Sequence, residues 1–209
     1  AYTQGDWDVL VFKDGDYAVA VDRQWHVIAK STDHASVLNS AIEEASDGRV
    51  FIRRGTYYIR EPVVIKDNVF IEGESWSSTR LYAAEDTVIL EIYAETKSIL
   101  FLCIKNLLVD GRGIVTIGVH IHRETPYELN MCMLENFEVL GCETNVYHEI
   151  PSKMLVINSA FEYGGTGIYQ SGGIVIYINT WFEQVDTAVH LVGAAKALMI
   201  EPRFVAVTT

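Results

Sequence analysis

Cysteine, proline and basic residues are scarce in this chain. Its 209 residues include 3 Cys and 4 Pro, and 16 Lys and Arg stand against 28 Asp and Glu. Cys103, Cys132 and Cys142 are odd in number and lack C-x-x-C spacing. That pattern speaks against a disulfide or metal framework and reads as three small buried apolar side chains. A net charge of −12 argues against a non-specific nucleic-acid binder, which must neutralise phosphates with Lys and Arg. An anionic polysaccharide escapes that argument, because one local basic patch is enough to hold it. No run reaches the ~18 apolar residues of a membrane span, so membrane insertion is not expected. Nor does the N-terminus show a basic stretch followed by an apolar one, so the expectation is that any signal peptide has been removed or was never present. What the chain has in quantity is apolar: 49% hydrophobic against 21% charged residues, enough for one domain with a large core.

The first third is punctuated by turns. Val9 to Phe12, Tyr17 to Val21 and Trp25 to Ala29 are β-rich runs separated by Asp14-Gly15-Asp16 and Asp22-Arg23-Gln24. Asp-Gly between alternating strands is a hairpin signal. Thr32-Asp33 is then a helix N-cap candidate before Ala35, Val37, Leu38, Ala41, Ile42 and Ala45, whose spacing fits one helical face; Asp47-Gly48 supplies the stop. Strands follow at Arg49 to Ile52 and Gly55 to Ile59. The organisation expected is an N-terminal β-meander over 1–31, a helix-plus-strand cap over 32–62, and stacked coils over 63–209.

These segments carry a resemblance. Thr32-Asp33, Ala41-Ile42-Glu43-Glu44-Ala45, Gly48-Arg49-Val50-Phe51-Ile52, Gly55-Thr56-Tyr57-Tyr58-Ile59 and Asn68-Val69-Phe70-Ile71-Glu72-Gly73-Glu74 resemble the opening of pectate-lyase-like β-helix proteins. The match covers about residues 32 to 75. It implies an all-β fold, a right-handed parallel β-helix behind a cap. Activity does not follow, since polysaccharide-cleaving enzymes and phage tailspikes share that opening. The Phe12-to-Asp16 hairpin is also similar to a leader on surface-type β-helix proteins of archaea and their viruses.

The rest of the chain repeats. Phe137-Glu138, Phe161-Glu162, Phe182-Glu183 and Phe204-Val205 place phenylalanine at separations of 24, 21 and 22. A second series, Val119-His120, Val146-Tyr147, Ile168-Tyr169 and Val189-His190, recurs at 27, 22 and 21. Two strand series in fixed order, both repeating at about 22 residues, are what stacked coils require, because a single coil cannot bury its own apolar face.

Stacking turns each repeat position into a column with ~4.8 Å between neighbours. Val119, Val146, Ile168 and Val189 are expected to point inward, as are the phenylalanines. Asn106, Asn136, Ser159 and Thr180 are expected to share a polar turn column. Parity sends Glu138, Glu162 and Glu183 outward. Stacked carboxylates are the candidate acid, base or metal ligands of a glycosidase, whose carboxyl groups stand ~5–9.5 Å apart. A hard cation such as Ca²⁺ would also accept their oxygens, although no metal-ligand spacing supports a cofactor. His120, Tyr147, Tyr169 and His190 form an outward column of flat rings, a candidate platform for sugars. Asp110-Gly111-Arg112-Gly113 reads as a turn, and Arg123 to Glu128 as the longest excursion.

No Gly-His-Gly with paired aspartates, clustered-aspartate lyase pattern, nucleophile elbow or phosphate loop is present, and after Lys66 the only lysines are Lys97, Lys105, Lys153 and Lys196. The expectation is therefore a non-catalytic structural or adhesive component, extracellular, on a cell surface or in a virion, with polysaccharide as a possible partner. Polysaccharide cleavage and carbohydrate binding without chemistry are the alternatives. Phe204 to Thr209 is apolar and strand-like, and an uncovered coil there would expose edge groups. Trimerisation or end-to-end self-association is expected from it.

Overall fold

The computed structural model describes residues 7–123 and 127–209. Val9–Asp14 and Tyr17–Asp22 form an antiparallel hairpin closing at Asp14↔Tyr17, with Gly15 at φ 61° in its turn. Val27–Ser31 adds a third antiparallel strand. That strand starts later than the expected Trp25, because Trp25 itself turns the chain at φ 66°. The Asp22 carboxylate fixes the turn by accepting from the Gln24 and His26 amides, both at 2.8 Å.

The helix runs His34–Glu44, and Asp33 is its N-cap, accepting from the Ser36 amide. Ala35, Val37, Leu38, Ala41 and Ile42 are buried on its inner face, as the spacing predicted. Asp47 adopts φ 61° just beyond its end. Lys97 and Asn68 bind the Asp47 carboxylate at 3.1 and 2.8 Å and tie this bend to later segments.

From Arg49 onward every strand pairing in the described residues is parallel. Arg49–Ile52 pairs with Phe70–Gly73, which pairs with Cys103 to Lys105 of the strand Leu102–Arg123. That long strand pairs with Met131–His148. Met131 then lies opposite Lys153, Lys153 opposite Ile174 and Ile174 opposite Lys196, while Phe161 lies opposite Phe182. These partners keep a nearly constant separation along the chain. Earlier partners, such as Leu90↔Val119 and Val119↔Val146, are farther apart in sequence because longer connections intervene. Among the described residues the result is a strand-dominated, largely parallel sheet with one helix. Among the described residues no helix is long and apolar enough to cross a membrane.

The interior follows the parity of the strands. Val119, Val146 and Ile168 are in register and fully buried, with Val189 partly buried above them. Phe161 and Phe182 stack with centroids 5.6 Å apart, and Phe204 stacks on Phe182 at the same distance while remaining half exposed. Phe137 departs from the expectation. It is buried, but Val139, not Phe137, lies opposite Phe161. Its separation of 24 from Phe161 marked the mismatch, since the bends beside it recur at 22 and 21.

Those bends are made by asparagine. Asn106, Asn136, Asn158 and Asn179 all adopt φ between 47° and 57°, a region that asparagine tolerates better than other residues with a Cβ. Their amides link up the stack: Asn136 Nδ2 donates to Asn106 Oδ1 at 3.1 Å, and Asn179 Nδ2 to Asn158 Oδ1 at 2.8 Å. The bend column is thus asparagine from Asn106 to Asn179 and passes to Glu201 at φ 53°, and the expected Ser159 and Thr180 sit one residue later, buried. Ser159 Oγ donates to the Ile157 carbonyl at 2.8 Å and accepts from the Phe137 amide at 3.2 Å. Of the excursion at Arg123 to Glu128, residues Glu124 to Pro126 lie outside the described residues.

Candidate functional site

The outward neighbours of the aliphatic column line up as expected. His120 lies opposite Tyr147, Tyr147 opposite Tyr169, and Tyr169 opposite His190. Strand register alone places their Cα atoms; ring packing does the rest. Tyr147 and Tyr169 stack at 4.6 Å with 22° between planes, His120 lies 5.4 Å from Tyr147, and His190 meets Tyr169 edge-on at 5.1 Å. Desolvation first, then hydrogen bonding to Glu149, holds the Tyr147 phenol above its ordinary range. The tyrosines and His120 are half-buried and His190 is exposed, so the row presents ring surface to solvent without losing its packing.

The row continues through residues that the sequence did not single out. His122 is two positions beyond His120 on the same strand face, and the two imidazoles stack at 4.3 Å and 23°. Tyr93 lies opposite His122 and packs on it at 4.9 Å. Glu91 lies opposite His120. Its Oε1 stands 3.1 Å from His122 Nε2, while Glu149 Oε2 stands 3.0 Å from His120 Nε2. One ligand atom each from Glu91, His120 and His122 can be chosen so that all lie within 4.8 Å of one another. The His-x-His alternation was legible as two imidazoles on one face. Glu91 was not, because the stretch joining it to His120 is longer than the repeat that the later strands keep.

The glutamates divide. Glu162 and Glu183 are in register and half-buried, but Glu138 lies opposite Leu108 and Ala160. Glu138 also does not point into solvent: it is 6% exposed, and its Oε2 has no hydrogen-bond partner. Burial, then the Glu162 charge, pushes its carboxyl up to about 7 against the pull of Arg80. Burial and Glu183 raise Glu162 in the same sense. Arg80 is shared with Asp110, 3.7 Å away, so it only partly compensates.

Glu138 lines a groove of about 150 Å³ whose other walls include Asn136, Asn158, Trp76 and Trp181. Both tryptophans are exposed, at 49% and 39%. A carboxylic acid pushed up to about 7 in a groove that two indoles help to line has the protonation state of a general acid or base. Trp76 and Trp181 escaped the sequence reading because neither belongs to the Phe-Glu repeat; Trp181 enters through the register Glu138↔Ala160↔Trp181.

The three cysteines are buried, and burial pushes each thiol up to about 12. They are packing residues, not nucleophiles.

No protein-family model matches the chain, and no curated protein matches it. Among solved structures the chain is similar to ORF18 of Geobacillus virus E2, with a TM-score of 0.61 and 14% identity over 92% of this chain and 48% of that one. It is also similar to the Agl-KA catalytic domain, with a TM-score of 0.50 and 11% identity over 83% of this chain and 45% of that one. The chain therefore spans less than half the length of either structure, and at these identities the likeness is one of fold.

Proposed function

We propose that the chain is a right-handed parallel β-helix of the pectate-lyase-like kind, and that it serves as a surface or virion module contacting glycan through its row of rings. The observation that carries the reading is the in-register packing of His120, Tyr147, Tyr169 and His190. A row of flat rings held by a stiff sheet needs no ordering on binding, and sugar rings offer apolar C–H faces that stack on such surfaces. The opening motif and the evenly spaced parallel pairings support the β-helix, and the likeness to a phage open reading frame product accords with a virion setting.

Affinity electrophoresis in gels containing neutral or acidic polysaccharide tests this reading. Retardation by at least one polysaccharide is expected, with Tyr147→Ala and Tyr169→Ala each weakening retention about tenfold by loss of one stacked ring, roughly 1–1.5 kcal/mol. Retention that is unchanged in the double variant would refute it.

One observation favours a second reading. Glu138, pushed up to about 7 in a groove that Trp76 and Trp181 also line, has the setting of a glycan-cleaving acid or base, and the other structural neighbour is a catalytic domain. Incubating the same polysaccharides with the protein at about pH 6 separates the two readings. New reducing ends from the wild type and none from Glu138→Gln would establish cleavage; intact polysaccharide with the wild type would remove it.

A further inference from the structure

The cluster Glu91, His120 and His122 has a geometry that neither a ring platform nor a cleavage groove calls for. We infer that it is a binding site for a single zinc-class divalent cation, formed by both imidazoles and the Glu91 carboxylate, with Glu149 beside His120 at its rim. The inference stands independently of the glycan reading.

The donor set comes first. Two imidazole nitrogens and carboxylate oxygens suit zinc and its neighbours in the first transition row better than Ca²⁺ or Mg²⁺, which prefer oxygen alone. Ligand atoms on a tetrahedral zinc at ~2.0–2.1 Å stand roughly 3.4 Å apart. The three atoms here lie within 4.8 Å of one another, so closing on an ion asks for side-chain rotation and no movement of strands.

The second argument is preorganisation. His120 and His122 project from one face of one strand, and Glu91 comes from the paired strand, so three ligands are fixed by backbone hydrogen bonding. Tyr93 packs on His122 at 4.9 Å and Tyr147 on His120 at 5.4 Å, which limits rotation of both imidazoles. Side-chain exposures of 11% at His122, 20% at His120, 26% at Glu91 and 40% at Glu149 grade the cluster from a sheltered base to an open mouth. An ion can enter at Glu149 and lose most of its water against the imidazoles.

Charge is the third argument. The Glu91 and Glu149 carboxylates flank the two imidazoles and together carry the charge that a divalent cation balances. Each imidazole is paired with one carboxylate, and the stacking of the two rings at 4.3 Å brings the Glu91 pair and His120 into one cluster.

The test uses the whole chain, freed of metal by a chelator and then titrated with Zn²⁺ by calorimetry and with Co²⁺ by visible absorption. One ion per chain is expected, with a cobalt spectrum of low coordination number. Glu91→Gln, which keeps size and shape, and His122→Ala should each weaken binding at least about tenfold. His190→Ala, in the same ring column but outside the cluster, should leave it unchanged. A second readout is a rise in the unfolding temperature with added Zn²⁺ in the wild type and its loss in Glu91→Gln. Lack of saturable binding at micromolar zinc would overturn the inference, as would wild-type affinity in Glu91→Gln or loss of binding in His190→Ala.

Discussion

Phe182→Ala should lower the unfolding free energy by about 3–5 kcal/mol, measured by urea denaturation. Phe182 is fully buried, with Phe161 and Phe204 stacked on its two sides at 5.6 Å and Tyr177 meeting it edge-on at 6.1 Å. A void left by the ring would be hard to close. The strand Trp181–Leu191 pairs on one side with Ala160–Gln170 and on the other with Arg203–Val205, so neither backbone can sink inward without breaking hydrogen bonds. The ring also lies against the backbone of Gly167, where even a single added carbon would come within 2.9 Å of it. Domains are commonly stable by only ~5–15 kcal/mol, so the variant would lose a large fraction of that margin. Phe204→Ala is the internal control. Its ring is half exposed, so the apolar area withdrawn from water is about half as large, and a loss of about 1–2 kcal/mol is expected. Equal losses at the two positions would mean that the phenylalanine column does not organise the core.

That contrast also marks what the sequence could reveal. The Val119, Val146, Ile168, Val189 column and its ring neighbours were legible because aliphatic and aromatic residues recur together at one shared period, and two such series rarely agree by chance. Phe137-Glu138 misled for the same reason in reverse. The dipeptide matches its successors, but it follows Asn136 directly, whereas Phe161 and Phe182 stand three residues after Asn158 and Asn179. The asparagine bends set the register, and a φ near 50° has no signature in hydrophobic pattern. Once the register moved, Glu138 moved with it, from an outward stripe to a buried position. The imidazole cluster was half visible: His120 and His122 alternate within one strand, but Glu91 and Glu149 reach them through connections of irregular length. Parity tells which face a residue takes. It does not tell which distant segment arrives opposite.

Between about pH 7 and pH 4 the wild-type protein should show little net change in stability, because two buried groups pull in opposite directions. Glu138 rises from an ordinary 4.5 to about 7. A raised carboxyl favours the protonated fold, so its contribution is fully present below pH 4.5 and is lost as the pH climbs through about 7. His148 is the counterpart. It is fully buried, its Nε2 is 2.6 Å from Ser152 Oγ, its Nδ1 has no partner, and burial pushes it down from 6.5 to about 4. A lowered imidazole favours the neutral fold, so its contribution is present above pH 6.5 and is lost as the pH falls through about 4. Glu162, raised, adds to the first effect, and His34, lowered by burial, adds to the second. Each large shift corresponds to at most ~3 kcal/mol. Solvent at the groove mouth and Arg80 screen Glu138, which leaves about 1–2 kcal/mol for it. Removing either group should unmask the other. Glu138→Gln should gain about 1–2 kcal/mol at pH 8, gain nothing at pH 4, and so lose stability on acidification. His148→Asn should be less stable overall through lost packing, yet its stability should rise as the pH falls from 7 to 4. Chemical denaturation at a series of pH values measures both slopes, and profiles for the two variants that run parallel to the wild type would show that neither group is shifted by the fold.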